Sequence, residues 1–182
     1  MFYRIGFVWI GGAGLIHKGL DLLVETFSLL PEYTLELCGK YNDERFKRVY
    51  ASELASKNIV GHGSVELGSK QFEEIYSRNT FIISTSCAEG QSGSVILGMH
   101  AGLIPIVSRE CGVDTDDFGF TLSDCSLATI RHTIETCAAL PEDELNARSA
   151  RARAYALKHH TRAAFTQAFA DAVDSISLNV AV

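Results

Sequence analysis

The chain has 182 residues, 47% hydrophobic and 21% charged, with three prolines. That is the make-up of one folded domain with a full core or of a generous half of a two-domain protein, and it argues against disordered and low-complexity segments. A net charge of −6 argues against a nucleic-acid partner, since binding a polyanion draws on clustered Lys and Arg.

Apolar runs of strand length alternate with helical stretches, the pattern of an α/β fold with a parallel sheet. The segment from Met1 to Ile10 is interrupted by Arg4 and Gly6 and lacks a small-residue cleavage site. It reads as a first strand, placed at Ile5–Ile10, and not as a signal peptide. Leu20, Leu23, Val24 and Phe27 then give one helical face that stops before Pro31. A strand is expected at Tyr33–Cys38, a helix on Phe46, Val49, Tyr50 and Leu54, a strand at Asn58–Gly61 and a short helix on Phe72, Ile75 and Tyr76. Strands follow at Thr80–Ser84 and Ile104–Val107, with a weak sixth at Phe118–Thr121. After the capping signal Ser123-Asp124 the chain reads as helical over Leu127–Leu140, Glu142–His159 and Thr161–Ile176. The expected architecture is one unit over residues 1–182: a doubly wound, Rossmann-like parallel sheet with a helical tail at about 126–178.

In open parallel sheets ligands bind beyond the C-terminal strand ends, where the strand order reverses. The unusual residues cluster at such ends: Gly11 to Gly14, Gly39-Lys40, His62-Gly63, Cys87 to Ser94 and Arg109 to Asp117. The run Glu89-Gly90-Gln91-Ser92-Gly93-Ser94, ahead of an apolar helix, is the most informative of these. Free amides and the positive dipole end at a helix start attract a phosphate, and glycines let the backbone come close. Glu89 would repel that phosphate, so it is assigned to hydroxyls on the same ligand, a pairing that a sugar diphosphate supplies.

Other motifs weaken on inspection. Gly12-Ala13-Gly14 begins like a dinucleotide fingerprint, but His17 stands where the third glycine belongs, and Leu37-Cys38-Gly39-Lys40 lacks the ribose-binding acid. Lys18 has no P-loop spacing, yet it can reach back to a diphosphate as a point charge. Asp114-Thr115-Asp116 has the D-x-D form of a metal site, but such runs are usually solvated loops or caps, and no metal site is assigned. The six histidines show no ligand spacing; His17 and His62 lie at strand ends and face the pocket in this reading, and His100 is placed in or under its helix. The five cysteines form an odd set without a C-x-x-C pair and read as reduced and mostly buried. Arg148, Arg151, Arg153, Lys158 and Arg162 read as a solvated face, with an anionic membrane surface as the alternative.

Four stretches in register carry a resemblance: Phe7-Val8-Trp9-Ile10-Gly11 with Lys18 to Leu23, Leu35 to Gly39, Ser86 to Gly90, and Gly98 to Val107. Over roughly residues 5 to 122 the chain resembles the C-terminal, donor-binding half of retaining, group 1 glycosyltransferases of the GT-B fold. The resemblance implies a cytoplasmic enzyme, at the inner membrane face in one version, that acts in polysaccharide synthesis. It would use a nucleotide-diphosphate sugar as substrate, without a cofactor, and a glycan or lipid-linked acceptor held by an N-terminal half absent from this sequence. It implies Lys18 on the diphosphate and Glu89 on the hexose as the catalytic pair. Donor contacts would come from Gly12, Ala13, Gly14, Gly39, Gly90, Gln91, Ser92, Gly93, Ser94 and Leu97. Two positions depart from the pattern: Ala13 stands where an arginine is usual, and Leu97 where a second glutamate grips the ribose. Those losses keep a non-catalytic domain open as a rival, alongside a different Rossmann-type nucleotide module.

Overall fold

Six strands form one sheet in the computed structural model, which describes residues 5–41 and 43–179. They are β1 (Gly6–Gly11), β2 (Thr34–Gly39), β3 (Ile59–Gly63), β4 (Phe81–Ser84), β5 (Ile104–Val107) and β6 (Phe120–Thr121), in the order β3-β2-β1-β4-β5-β6. Every neighbouring pair is parallel, so all C-terminal strand ends share one edge and each connection must cross over the sheet. Residues 1–4, where the first-strand segment begins and where the signal-peptide question falls, lie outside the described residues.

The crossovers are α1 (Leu20–Ser28), α2 (Glu44–Val49) with α3 (Ala51–Leu54), α4 (Lys70–Arg78) and α5 (Gly93–His100). Three helices close the chain: α6 (Leu127–Ala138), α7 (Glu142–His159) and α8 (Arg162–Asn179). The two-residue period of a strand divides the core. Phe7, Trp9, Leu35, Leu37, Phe81 and Ile83 point to the face covered by α1 and α6, while Val8, Ile82 and Val107 point to the face covered by α4, α5 and α7. At the centre Phe7 stacks on Phe81 with ring centroids 5.0 Å apart and meets Phe27 edge-on at 5.2 Å. Each such buried aromatic contributes about 1.5–3 kcal/mol of transfer free energy.

Four local expectations need correction. The helix expected through Phe46 and Leu54 divides at Tyr50, whose φ of −102° and ψ of 30° leave the helical region while its ring sits 4.6 Å from that of Phe46. The sixth strand starts at Phe120 because the backbone before it is spent in a turn, with Phe118 and Gly119 amides donating to the Thr115 carbonyl. Ser126, not Ser123-Asp124, caps α6: its hydroxyl accepts from the Thr129 amide at 3.2 Å, and Asp124 accepts from the Ser126 amide at 2.8 Å. Of the tail cations, Arg153, Lys158 and Arg162 are exposed. Arg148 instead donates to the Asp117 carbonyl at 2.9 Å and lies over the Phe120 ring, and Arg151 approaches the Asp117 carboxylate at 3.2 Å. These two tie α7 to the loop before β6. Among the described residues no helix is long and apolar enough to cross a membrane.

Candidate functional site

The strand order reverses between β1 and β4, and the loops that follow these two strands carry Lys18 and Glu89. The Lys18 ammonium is hydrogen-bonded and ion-paired to Glu89 Oε1. Both side chains are largely covered and line a cleft of about 310 Å³ with Trp9, Gly12, Ser84, Ser92, Gly93 and Ser94. This is where ligands collect in doubly wound sheets.

The placement of Lys18 follows from how its own neighbours are held. After Gly14 the β1 loop closes one tight turn, with the Lys18 amide donating to the Gly14 carbonyl and the Gly19 amide to the Ile16 carbonyl. The carbonyls on either side of Lys18 then bind the β4 loop. His17 O accepts from the Cys87 amide at 2.9 Å and from the Ser86 hydroxyl at 3.1 Å, and Gly19 O accepts from the Thr85 hydroxyl at 2.8 Å. Gly19 is required there: its φ is +68°, in the left-handed region that favours glycine. The loop bearing Glu89 is braced from its other side. Ser108 donates to the Ser86 carbonyl at 2.5 Å, the Cys111 thiol lies 3.4 Å from the Ser84 carbonyl, and the Ser92 amide donates to the Cys111 carbonyl at 2.9 Å.

The third part of the site is the start of α5. Side chains cap α2, α4 and α6, but Ser92, the residue before α5, makes no such bond, and its hydroxyl lies instead 3.2 Å from that of Ser94. The first amides of a helix lack intrahelical partners and carry its positive end. Here they open into the cleft, and nothing stands within 4 Å of where a Cβ on Gly12, Gly90 or Gly93 would project. The arrangement therefore presents donors and one lysine to an anion, with a carboxylate beside them for hydroxyls.

The other expected positions fall around this core. Ala13, Gly14 and His17 line a neighbouring hollow with Cys87. Gly39 ends β2 so close to β1 that a Cβ there would lie 1.7 Å from the Gly11 carbonyl, so its part is to let the strands pair. Gln91 is exposed, and Leu97 is half-buried on α5 outside both core clusters. Asp114 accepts from the Tyr155 hydroxyl at 2.7 Å, and burial together with that bond pushes the phenol up to about 12. His100 bonds the His160 carbonyl at 3.0 Å from the end of α5. Cys38, Cys111 and Cys137 are buried, Cys125 is half-buried and Cys87 exposed, all as free thiols.

His62 is held away from the cleft. It joins a cluster around the buried carboxylate of Glu36, which accepts from Arg78 at 2.6 and 2.5 Å and from Asn79 at 3.1 Å, with His62 Nε2 at 2.6 Å. Burial pushes the Glu36 carboxyl up, but the bonds from Arg78, Asn79 and His62 outweigh it and hold the group below its usual range. This cluster, and Trp9 in the cleft wall, were not read from the sequence. An isolated acid in the apolar run Leu35-Glu36-Leu37 was the available signal, because a charge there must find partners.

Residues 4–136 match the family model described as glycosyl transferases group 1. A comparison with curated protein sequences finds no match. Among solved structures the chain is similar to HepE of Anabaena, crystallised with UDP and glucose, at a TM-score of 0.78 and 14% identity over 95% of this chain and 49% of that one. It is also similar to sucrose-phosphate synthase of Thermosynechococcus elongatus (0.76, 14% identity, 98% and 47%). A third likeness is to the C-terminal domain of the group 1 family glycosyl transferase LpcC of Francisella tularensis (0.71, 15% identity, 87% of each). At these identities the likeness is one of fold. The chain spans about half the length of the first two proteins.

Proposed function

The chain belongs to the group 1 glycosyltransferases, and from that premise we propose that it forms the half of such an enzyme that binds a nucleotide-diphosphate sugar. The reaction is transfer of a hexosyl unit, with retention, to a glycan or lipid-linked acceptor held by a second, N-terminal half. The setting is polysaccharide synthesis in the cytoplasm, at the inner membrane face, with neither cofactor nor metal. The carrying observation is the Lys18–Glu89 pair beside the uncapped start of α5. A diphosphate takes the amides of Gly93 and Ser94 and the ammonium of Lys18, and hexose hydroxyls take the carboxylate of Glu89. Each member of the pair exchanges one partner for another, so neither is left buried and unpaired. As the glycosidic bond breaks, charge grows on the departing diphosphate, and fixed amides and Lys18 stabilise it without reorganising.

Calorimetric titration with a panel of nucleotide-diphosphate sugars tests this, with NAD as control: one sugar nucleotide binds and NAD does not. The uncharged side chains of Ala13 and Leu97 support a second reading, a non-catalytic domain that keeps the fold without the donor. A titration in which no sugar nucleotide binds favours that reading, and binding of NAD alone favours a different nucleotide module.

A further inference from the structure

Beside the cleft lies a larger hollow of about 1100 Å³ between the β1 loop and α2. The two share a wall: Gly12, Lys18 and Glu89 line the cleft, while Ala13, His17 and Cys87 line the hollow. Its floor is apolar, built on the buried side chains of Leu15 and Phe46. Ile16 and Val49 also line it, yet remain 59% and 63% exposed. Large apolar side chains left in water around a concave apolar floor mark a ligand site.

The hollow also has a charged edge. Lys40, just after β2, and Arg45, in the first turn of α2, both line it, and among the described residues no ion pair engages either. The acid in the lining, Asp43, is turned to the Phe46 amide at 2.8 Å as the cap of α2. An apolar floor edged by two cations outside any ion pair suits a molecule with an apolar body and an anionic end. A free sugar would find few hydrogen-bonding partners on that floor. The groups that hold the donor in the function proposed above, Lys18, Glu89 and the start of α5 at Gly93 and Ser94, line the cleft and not the hollow.

We propose that this hollow binds a lipid phosphate, its single apolar chain lying over Leu15, Phe46 and Val49 and its phosphate meeting Lys40 and Arg45. Its role as a subsite for the phosphate and chain of an amphiphilic acceptor, whose reacting end the N-terminal half holds, rests on the function proposed above; the binding itself does not.

Decyl phosphate, kept below its aggregation concentration, is the probe, with decanol and inorganic phosphate as single-feature controls and calorimetry as the readout. Decyl phosphate binds roughly tenfold or more tightly than either control, since chain and charge act together. Val49→Asp weakens it by about tenfold or more, and the double variant Lys40→Ala, Arg45→Ala lowers it to the level of decanol. Ile16→Asp is the second apolar variant should Val49→Asp disturb folding, and a nucleotide diphosphate does not compete with the probe. Affinity no better than that of inorganic phosphate, or unchanged in both aspartate variants, overturns the site. Displacement by the nucleotide overturns it too, by assigning the hollow to the donor. If the probe binds but no sugar nucleotide does, the hollow stands and the donor reading falls; the reverse result overturns the hollow alone.

Discussion

The Thr85 hydroxyl donates to the Gly19 carbonyl at 2.8 Å, and no space remains between the two backbones: a Cβ on residue 19 would lie 2.3 Å from the Thr85 carbonyl. Gly19→Ala therefore meets a left-handed φ of +68° and a collision with backbone together. The expected loss is about 2–4 kcal/mol, the left-handed penalty plus the cost of forcing packed loops apart. Urea unfolding measures it, and a midpoint equal to that of the unsubstituted chain would show the loops to be loosely joined.

Lys18→Ala should weaken binding of a sugar nucleotide by about 1.5–3 kcal/mol, the worth of a charged hydrogen bond, with little change in stability. Glu89→Gln separates the two ends of the ligand: affinity for the sugar nucleotide falls, while affinity for the bare nucleotide diphosphate holds or rises as Lys18 is released. Calorimetry with both ligands checks the pair, and equal losses for both in Glu89→Gln would remove the hexose from Glu89.

Leu97→Glu adds a carboxylate at a half-buried position outside the core clusters, so the domain should stay folded. If the ribose lies along this turn of α5, the unsubstituted domain discriminates poorly between ribo- and deoxyribo-donors, and the variant prefers the ribo-form. Strong discrimination by the unsubstituted domain would mean that another residue grips the ribose.

A diphosphate seated on amides and Lys18 needs no divalent cation, and Asp114 is engaged by Tyr155. Donor affinity should be the same in chelator and in added Mg²⁺. Binding that appears with the cation alone would return the aspartate loop to the site.

Arg78→Ala removes the two hydrogen bonds that Arg78 donates to the carboxylate of Glu36, a residue that is 4% exposed. Breaking a buried pair costs about 3–5 kcal/mol, and the half-exposed Arg78 places this one at the low end. The sign of the pH effect follows from the lowered Glu36 value. Stability from the cluster is present above the unfolded value near 4.5 and is lost as pH falls through the lower folded value. The gap between variant and parent in urea midpoint should thus narrow in acid, and a gap independent of pH would deny the carboxylate its role.

Strand positions were legible in the sequence because each core run is long, apolar and bounded by turn residues, as at Ile104–Val107, where expectation and structure coincide. The proximity of Lys18 and Glu89 was legible as well, since two loops at one sheet edge must meet where the strand order turns back. The braces between those loops were not. Thr85 to Gly19 and Ser86 to His17 are side-chain bonds to carbonyls 66 and 69 residues away, and no local pattern announces a carbonyl's partner. Tyr50 was misread for a related reason: its spacing fits a helix, but contact with Phe46 accompanies a break that periodicity does not register.

The ladder between β1 and β4 consists of two register pairs, Phe7 with Phe81 and Val8 with Ile82. That short seam joins the β1–β3 half of the sheet to the β4–β6 half, and the cleft opens directly above it. A ligand that touches Lys18 and Glu89 together therefore works as a suture between two sub-units of the fold. Its free energy of binding adds to the work of parting them. Slowed amide exchange on saturation should then gather in β1 and β4, at the seam, and leave α8, remote from it, as it was.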